Sequence, residues 1–321
     1  MAEDFDIGPL SWVKDEIDQS LKRVMDSYIV VTENPSEYAT LRFTLAHLYQ
    51  VSGALDMVGL EGCKRYCAEI EKLTGKIEKG QLPVTAKLME DLMLAVQTLQ
   101  QYLQDLLGVM PDTPLRLFES LQHLASLQGE TFEITDLFYP DTSFSPPKDL
   151  PAELIDEAAF PAYVAEQRGI FQKSLLDWLM SKDANALESM RNALFNVQRV
   201  QQRKSQKSLW WAASAFTEAL RQENIAALAG AKKLCRKLDQ QLRNLALGEA
   251  KVPNNLLRDV LYYVAISEPA TAQIAKVKDV FELERALPSE KTTTQPITLM
   301  DADERDAIQQ LSAELPALKE L

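Results

Sequence analysis

His47 is the first residue in this chain with an obvious chemical use. It directly precedes the run LYQVSGALDMVGLEG at residues 48–62. An imidazole nitrogen can attack phosphorus, and a cation one turn later would neutralise the phosphoryl oxygens. One turn after His47 come Gln50 and Val51, so that cation is missing. At ~100° per residue, His47 and Tyr49 lie ~200° apart around a helix and face different sides. Tyr49 is a weak nucleophile, because an unperturbed phenol with a pKa near ~10 stays protonated at neutral pH. The second histidine, His123, sits in ESLQHLASL with no Lys or Gly context. Both are read as ordinary helix histidines. A working phosphotransfer module using His47 or His123 is the alternative.

Other chemistry is thinner still. Cys63 and Cys67 stand four apart on one helical face, a spacing that could ligate a metal. Zinc would need two more ligands, and only His47, His123 and Cys235 are in stock, so no metal is expected. The thiols read better as small buried hydrophobes. No Gly-rich phosphate loop, nucleophile elbow or HExxH pattern occurs, and no carboxylates pair into an acid–base constellation. Neither a cofactor nor an enzyme active site is expected. The Trp210-Trp211 pair should place one ring in the core and leave the other half-exposed.

What remains is surface. A glycine at position 53, beside Tyr49, Ser52 and Asp56 and ahead of Gly59, is a notch where a partner helix could approach. The net charge of −13 argues against nucleic acid as a partner, but it is unevenly spread. Residues 191–243 hold 11 Lys or Arg against 3 Asp or Glu. Arg199, Arg203, Lys204 and Lys207 in that stretch form a candidate basic docking surface for an acidic partner, with solvated helix faces as the plainer reading.

The elements that must position these residues are helical. Gly is scarce at 11, and most segments repeat their apolar residues at helical spacing. A first helix opens after Pro9 with Trp12, Val13, Ile17, Leu21, Val24, Met25 and Tyr28 on one stripe, and Asn34-Pro35 ends it. A second runs over about 37–58, a third over 63–79 and a fourth over 88–107, followed by a short fifth over 114–127. Together they predict a four-helix bundle with an extra helix in residues 1–130. Residues 131–151, rich in Pro, Ser and aromatics, read as a linker packed along the first bundle. Helical periodicity resumes near Leu154, and 152–287 is expected to be a second, diverged bundle. In that repeat 191–208 matches the second helix and 248–264 matches the fourth, with an insertion at 224–247. Residues 288–321 read as a polar linker and the start of a further helix in a longer polypeptide. No apolar run is long enough to span a bilayer, and the acidic start MAEDFDIGPL is unlike a signal peptide. Three cysteines without a pairing pattern fit a reducing cytoplasm.

The run 48–62 resembles the phosphate-bearing helix of histidine phosphotransfer (Hpt) modules. Such a helix carries a His, a Lys three residues on, a Gly four on and a second Gly ten on. Here Gly53 and Gly59 match, while Tyr49 and Ser52 stand at the His and Lys positions. Longer runs, LSWVKDEI at 10–17, ENP at 33–35 and AEIEKL at 68–73, are similar to the N-terminal region of CheA-type chemosensory kinases of the type IV pilus system, the ChpA/PilL group. Scaffolds of the FimL kind resemble the same region. The resemblance implies two tandem degenerate Hpt-like bundles without phosphotransfer. It implies a docking role in a twitching-motility phosphorelay, in the cytoplasm and at the cell pole. Response regulator receiver domains, pilus or polar scaffold proteins, or the rest of a kinase chain would be the partners. A standalone scaffold is the alternative.

Overall fold

A computed structural model describes residues 7–288 of the chain, except 109 and 250. All regular structure in the described residues is helical, as the spacing of apolar residues predicts. The α-helices are α1 (Ile7–Glu33), α2 (Leu41–Met57), α3 (Glu61–Glu78), α4 (Ala86–Leu107), α5 (Phe118–Ser126), α6 (Phe160–Ser181), α7 (Ala184–Arg199), α8 (Lys204–Ala219), the single turn α9 (Glu223–Ala226), α10 (Ala229–Ala246), α11 (Asn254–Ala265) and α12 (Ala272–Val280). They fall into two compact units. Among the described residues, one holds the chain up to Pro111 together with Glu119–Glu130, and the other holds Asp112–Phe118 and the chain from Thr131 to Pro288. The polar stretch and further helix expected beyond 288 lie outside the described residues.

In the first unit α1 packs on α2 and α4, and α3 packs on the same two helices, which closes a four-helix ring. The buried stripe of α1 is Leu10, Ile17, Leu21, Val24, Tyr28 and Val31. Trp12, expected on that stripe, is 83% exposed. Five positions before Ile17 is ~140° away around the helix, so residue type misled where spacing did not. Lys14 takes the inward place instead, its stem buried and its ammonium 2.5 Å from Asp18. The second helix does not begin at 37. Pro35–Thr40 forms a 3-10 turn, with the Asn34 side chain accepting from the Ser36 amide, and α2 starts after it. Between α2 and α3 the chain turns at Gly59, whose φ of +78° lies in the left-handed region that favours glycine.

In the second unit α6 packs on α7 and α10, and α8 is packed by α7, α11 and α12. With three helices against it, α8 has little free surface, and both Trp210 and Trp211 are buried, not one of them. Trp210 donates its indole N–H to Gln206, 2.9 Å away. The stretch 224–247, expected to be an insertion, supplies α10, which lies along α6, while α11 packs mainly on α8. The segment 131–151 supplies side chains to the second core. Phe138 is fully buried in the second core, edge-on to Tyr262 at 5.4 Å, and Phe144 and Leu150 pack against that core too. Leu154 is exposed, and the helix after it begins only at Phe160.

Candidate docking face

The face of α2 opposite its buried residues is open. Thr44, Leu48, Val51 and Leu55 face the core. Phe43, Ala46, Gln50, Gly53 and Met57, at alternating steps of three and four, form the outward seam. Phe43 is 70% exposed, Tyr49 72% and Met57 78%. Tyr49 and Asp56 flank the seam, and Ser52 is half-buried at its edge. Among the described residues, nothing lies within 4 Å of where a side chain on Gly53 would begin. A mid-helix glycine costs about 1 kcal/mol relative to alanine. No close packing among the described residues calls for it here, so the notch is open on that side.

The residues read from the sequence thus sit on one surface: Tyr49, Gly53 and Asp56 outward, Ser52 beside them and Gly59 in the turn below. Asp56 is not free, since Lys64 of α3 donates to it at 2.5 Å. That hydrogen bond raises the Lys64 ammonium above the usual lysine range. Phe43 and Met57 were missed as members of the face. The signal that finds them is the heptad spacing of exposed apolar residues on the side away from Leu48 and Val51.

The basic stretch of the second unit is partly consumed by the chain before it. Glu153 pairs with Arg199 at 2.9 Å, and Lys204 donates to the Ser143 carbonyl. Glu133 pairs with Lys233 at 3.3 Å and Lys237 at 3.2 Å, and Asp136 with Arg258 at 3.3 Å. Burial alone would raise the Glu133 carboxyl, yet the two lysines outweigh it and hold it below the usual range. Of the four candidate basic residues, Arg203 and Lys207 have no ion pair among the described residues, while Arg199 and Lys204 are engaged.

The two histidines differ. His47 is half-buried, with its Nδ1 3.3 Å from Gln50. His123 Nε2 lies 3.2 Å from the buried carboxylate of Asp91, which Lys87 also approaches at 3.1 Å. Among the described residues no lysine pairs with His47, so the two parts of a phosphoryl acceptor are not brought together there. Cys63, Cys67 and Cys235 are buried. Burial pushes both the Cys67 and the Cys235 thiols up to about 12. Cys67 donates to the Leu48 carbonyl at 3.6 Å. Thiols so placed are protonated and poor ligands or nucleophiles at neutral pH.

No helix of the described residues is long and apolar enough to cross a membrane. No solved structure matches the chain. Residues 156–294 match the family model for the second domain of the FimL scaffold protein. The chain is also similar to the scaffold protein FimL of Pseudomonas aeruginosa, 22% identical over 283 residues, which cover 85% of this chain and 50% of that protein. It therefore spans about half the length of the curated relative it matches, and its likeness is to a scaffold.

Proposed function

We propose that this chain is a non-catalytic scaffold that binds a protein partner through the outward face of α2. The open seam Phe43, Ala46, Gln50, Gly53, Met57, flanked by Tyr49 and Asp56, carries the reading. It has heptad spacing, exposed apolar side chains and a glycine with empty space over it, the features of a helix that receives another helix. The likeness to the scaffold protein FimL supports a role without catalysis. The degenerate Hpt pattern at 49–59 supports descent of the face from a receiver-docking surface, with the phosphate chemistry lost and the second unit a diverged repeat of the first. The kinase-linked version of this reading places the same face at the N-terminus of a CheA-type kinase. It rests on the runs at 10–17, 33–35 and 68–73.

The test is binding to receiver domains from the same cell. Gly53→Arg fills the notch and should weaken binding by about tenfold or more, or about 1.4 kcal/mol, with the circular-dichroism spectrum unchanged. An unaltered affinity in a folded variant would remove α2 as the face. In parallel, incubation with the cognate kinase core and labelled ATP should leave the chain unlabelled. Acid-labile label lost in a His47→Ala/His123→Ala variant would instead make it a relay component.

A further inference from the structure

The exposed residues of α2 fall into three rows, with seven positions between neighbours in a row. Arg42, Tyr49 and Asp56 form one edge, Phe43, Gln50 and Met57 form the other, and the small residues Ala46 and Gly53 run between them. Seven residues return to within ~20° of the same side of a helix, so each row is nearly straight. The pattern is symmetric about the point between Tyr49 and Gln50. A face of that kind can meet a copy of itself in antiparallel register about a two-fold axis, with each edge lying against the same edge of the other copy. With the axis beside Tyr49 and Gln50, Arg42 faces Asp56 of the second copy and Asp56 faces Arg42. Phe43 faces Met57, an aromatic ring against a thioether. Tyr49 meets Tyr49 and Gln50 meets Gln50, and both side chains can donate to and accept from their own kind. Ala46 lies opposite Gly53, small against small along the line of closest approach, which lets the two helices come close. Charge decides the direction. In parallel register Arg42 would face Arg42 and Asp56 would face Asp56, whereas in antiparallel register both contacts are attractive. Arg42 has no ion pair among the described residues, and Lys64 engages Oδ1 of Asp56 while Oδ2 remains to accept.

We infer that α2 pairs, antiparallel, with α2 of a second copy of this chain. The inference rests on the reading of α2 as the docking face, and it names what occupies that face before another partner arrives. A receiver domain and a second copy then compete for one surface, so partner binding divides the dimer. A single pair of 17-residue helices makes an interface at the small end of the range, so the dimer is weak, with a dissociation constant on the order of 10 μM.

The test is sedimentation equilibrium of the full chain over concentrations from about 1 to about 300 μM, which bracket that constant. The wild type should pass from monomer to dimer across the range. Arg42→Asp puts like charges at both edge contacts and should weaken the dimer by about tenfold or more, and Asp56→Arg should do the same with the opposite sign. Mixed one to one, the two variants should recover a dimer close to wild type in affinity, because the exchanged charges attract again at both contacts. Both positions are exposed, so the circular-dichroism spectra should match the wild type. A wild type that stays monomeric, single variants that dimerise as the wild type does, or a mixture that stays monomeric would overturn the dimer. A monomer whose receiver binding is still weakened by Gly53→Arg would keep α2 as the docking face and remove only the second copy from it. A dimer restored by mixing, in a chain whose receiver binding ignores Gly53→Arg, would keep the second copy and remove the receiver.

Discussion

α2 and α7 occupy similar places in their units, each packed between the helix before it and the helix after it, yet their surfaces were finished differently. α2 leaves a whole face open, with three large apolar side chains on or beside it. α7 has its C-terminal end covered. Gln198 reaches the Pro151 carbonyl, the Glu153 amide donates to the Arg199 carbonyl, and their side chains form an ion pair. The segment before α6 has thus become part of the second unit, anchored by Phe138 inside and by carboxylates on Lys233, Lys237, Arg258 and Arg199. Among the described residues, α2 has a face with no internal reason to be apolar and notched, whereas the end of α7 is satisfied by its own chain. Affinity for a partner is therefore expected on α2, and stability on the second unit from the contacts of that segment before α6, hereafter the strap.

The largest effect expected from breaking that contrast is in the second core. Trp210→Ala removes a fully buried indole and its hydrogen bond to Gln206, and should cost about 3–5 kcal/mol in urea unfolding. Next, Lys237→Ala leaves Asp259, which Lys237 meets at 2.8 Å inside the unit, with only the more distant Arg258 at 3.8 Å among the described residues. Because Lys237 is itself partly exposed, the loss should be about 2 kcal/mol, below the full penalty for a broken buried pair.

The same network sets a pH dependence. Glu133 has a depressed folded pKa, so its contribution is present above the unfolded value of 4.5 and is lost as pH falls through the lower folded value. Lys237 has a raised folded pKa, so its contribution holds below 10.5 and fades as pH rises through the folded value. Acid unfolding of Glu133→Gln should accordingly show a flatter slope below about pH 4.5 than wild type. An identical slope would mean that the strap is not held by this carboxylate.

The α2 variants should barely change stability. Gly53→Ala should stabilise the first unit by up to about 1 kcal/mol. Tyr49→Ala should stay within about 0.5 kcal/mol of wild type by the same measurement. A loss beyond about 2 kcal/mol in either would mean that the face packs against something within the chain, and the contrast with α7 would fail.

The periodic parts of this molecule were open to sequence reasoning. Leu92, Val96, Leu99, Leu103 and Leu106 of α4 are all buried, as their spacing demands, and so are Tyr66, Cys67, Ile70 and Leu73 of α3. The Gly53 surface was readable because a glycine amid helix formers stands out. Errors arose where residue type was weighed above angle, as with Trp12, or where burial depended on how many helices converge, as with Trp211. The strap was illegible for a different reason. Glu133 and Lys233 are 100 positions apart, and neither has a local pattern that names the other.

The buried thiols give the two units separate voices. Cys63 and Cys67 lie in the first and Cys235 in the second, and all three are buried. An alkylating reagent can reach each only when its own unit opens, so labelling in native buffer counts excursions of one unit without disturbing the other. A partner seated on α2 should slow modification of Cys63 and Cys67 and leave Cys235 at its former rate.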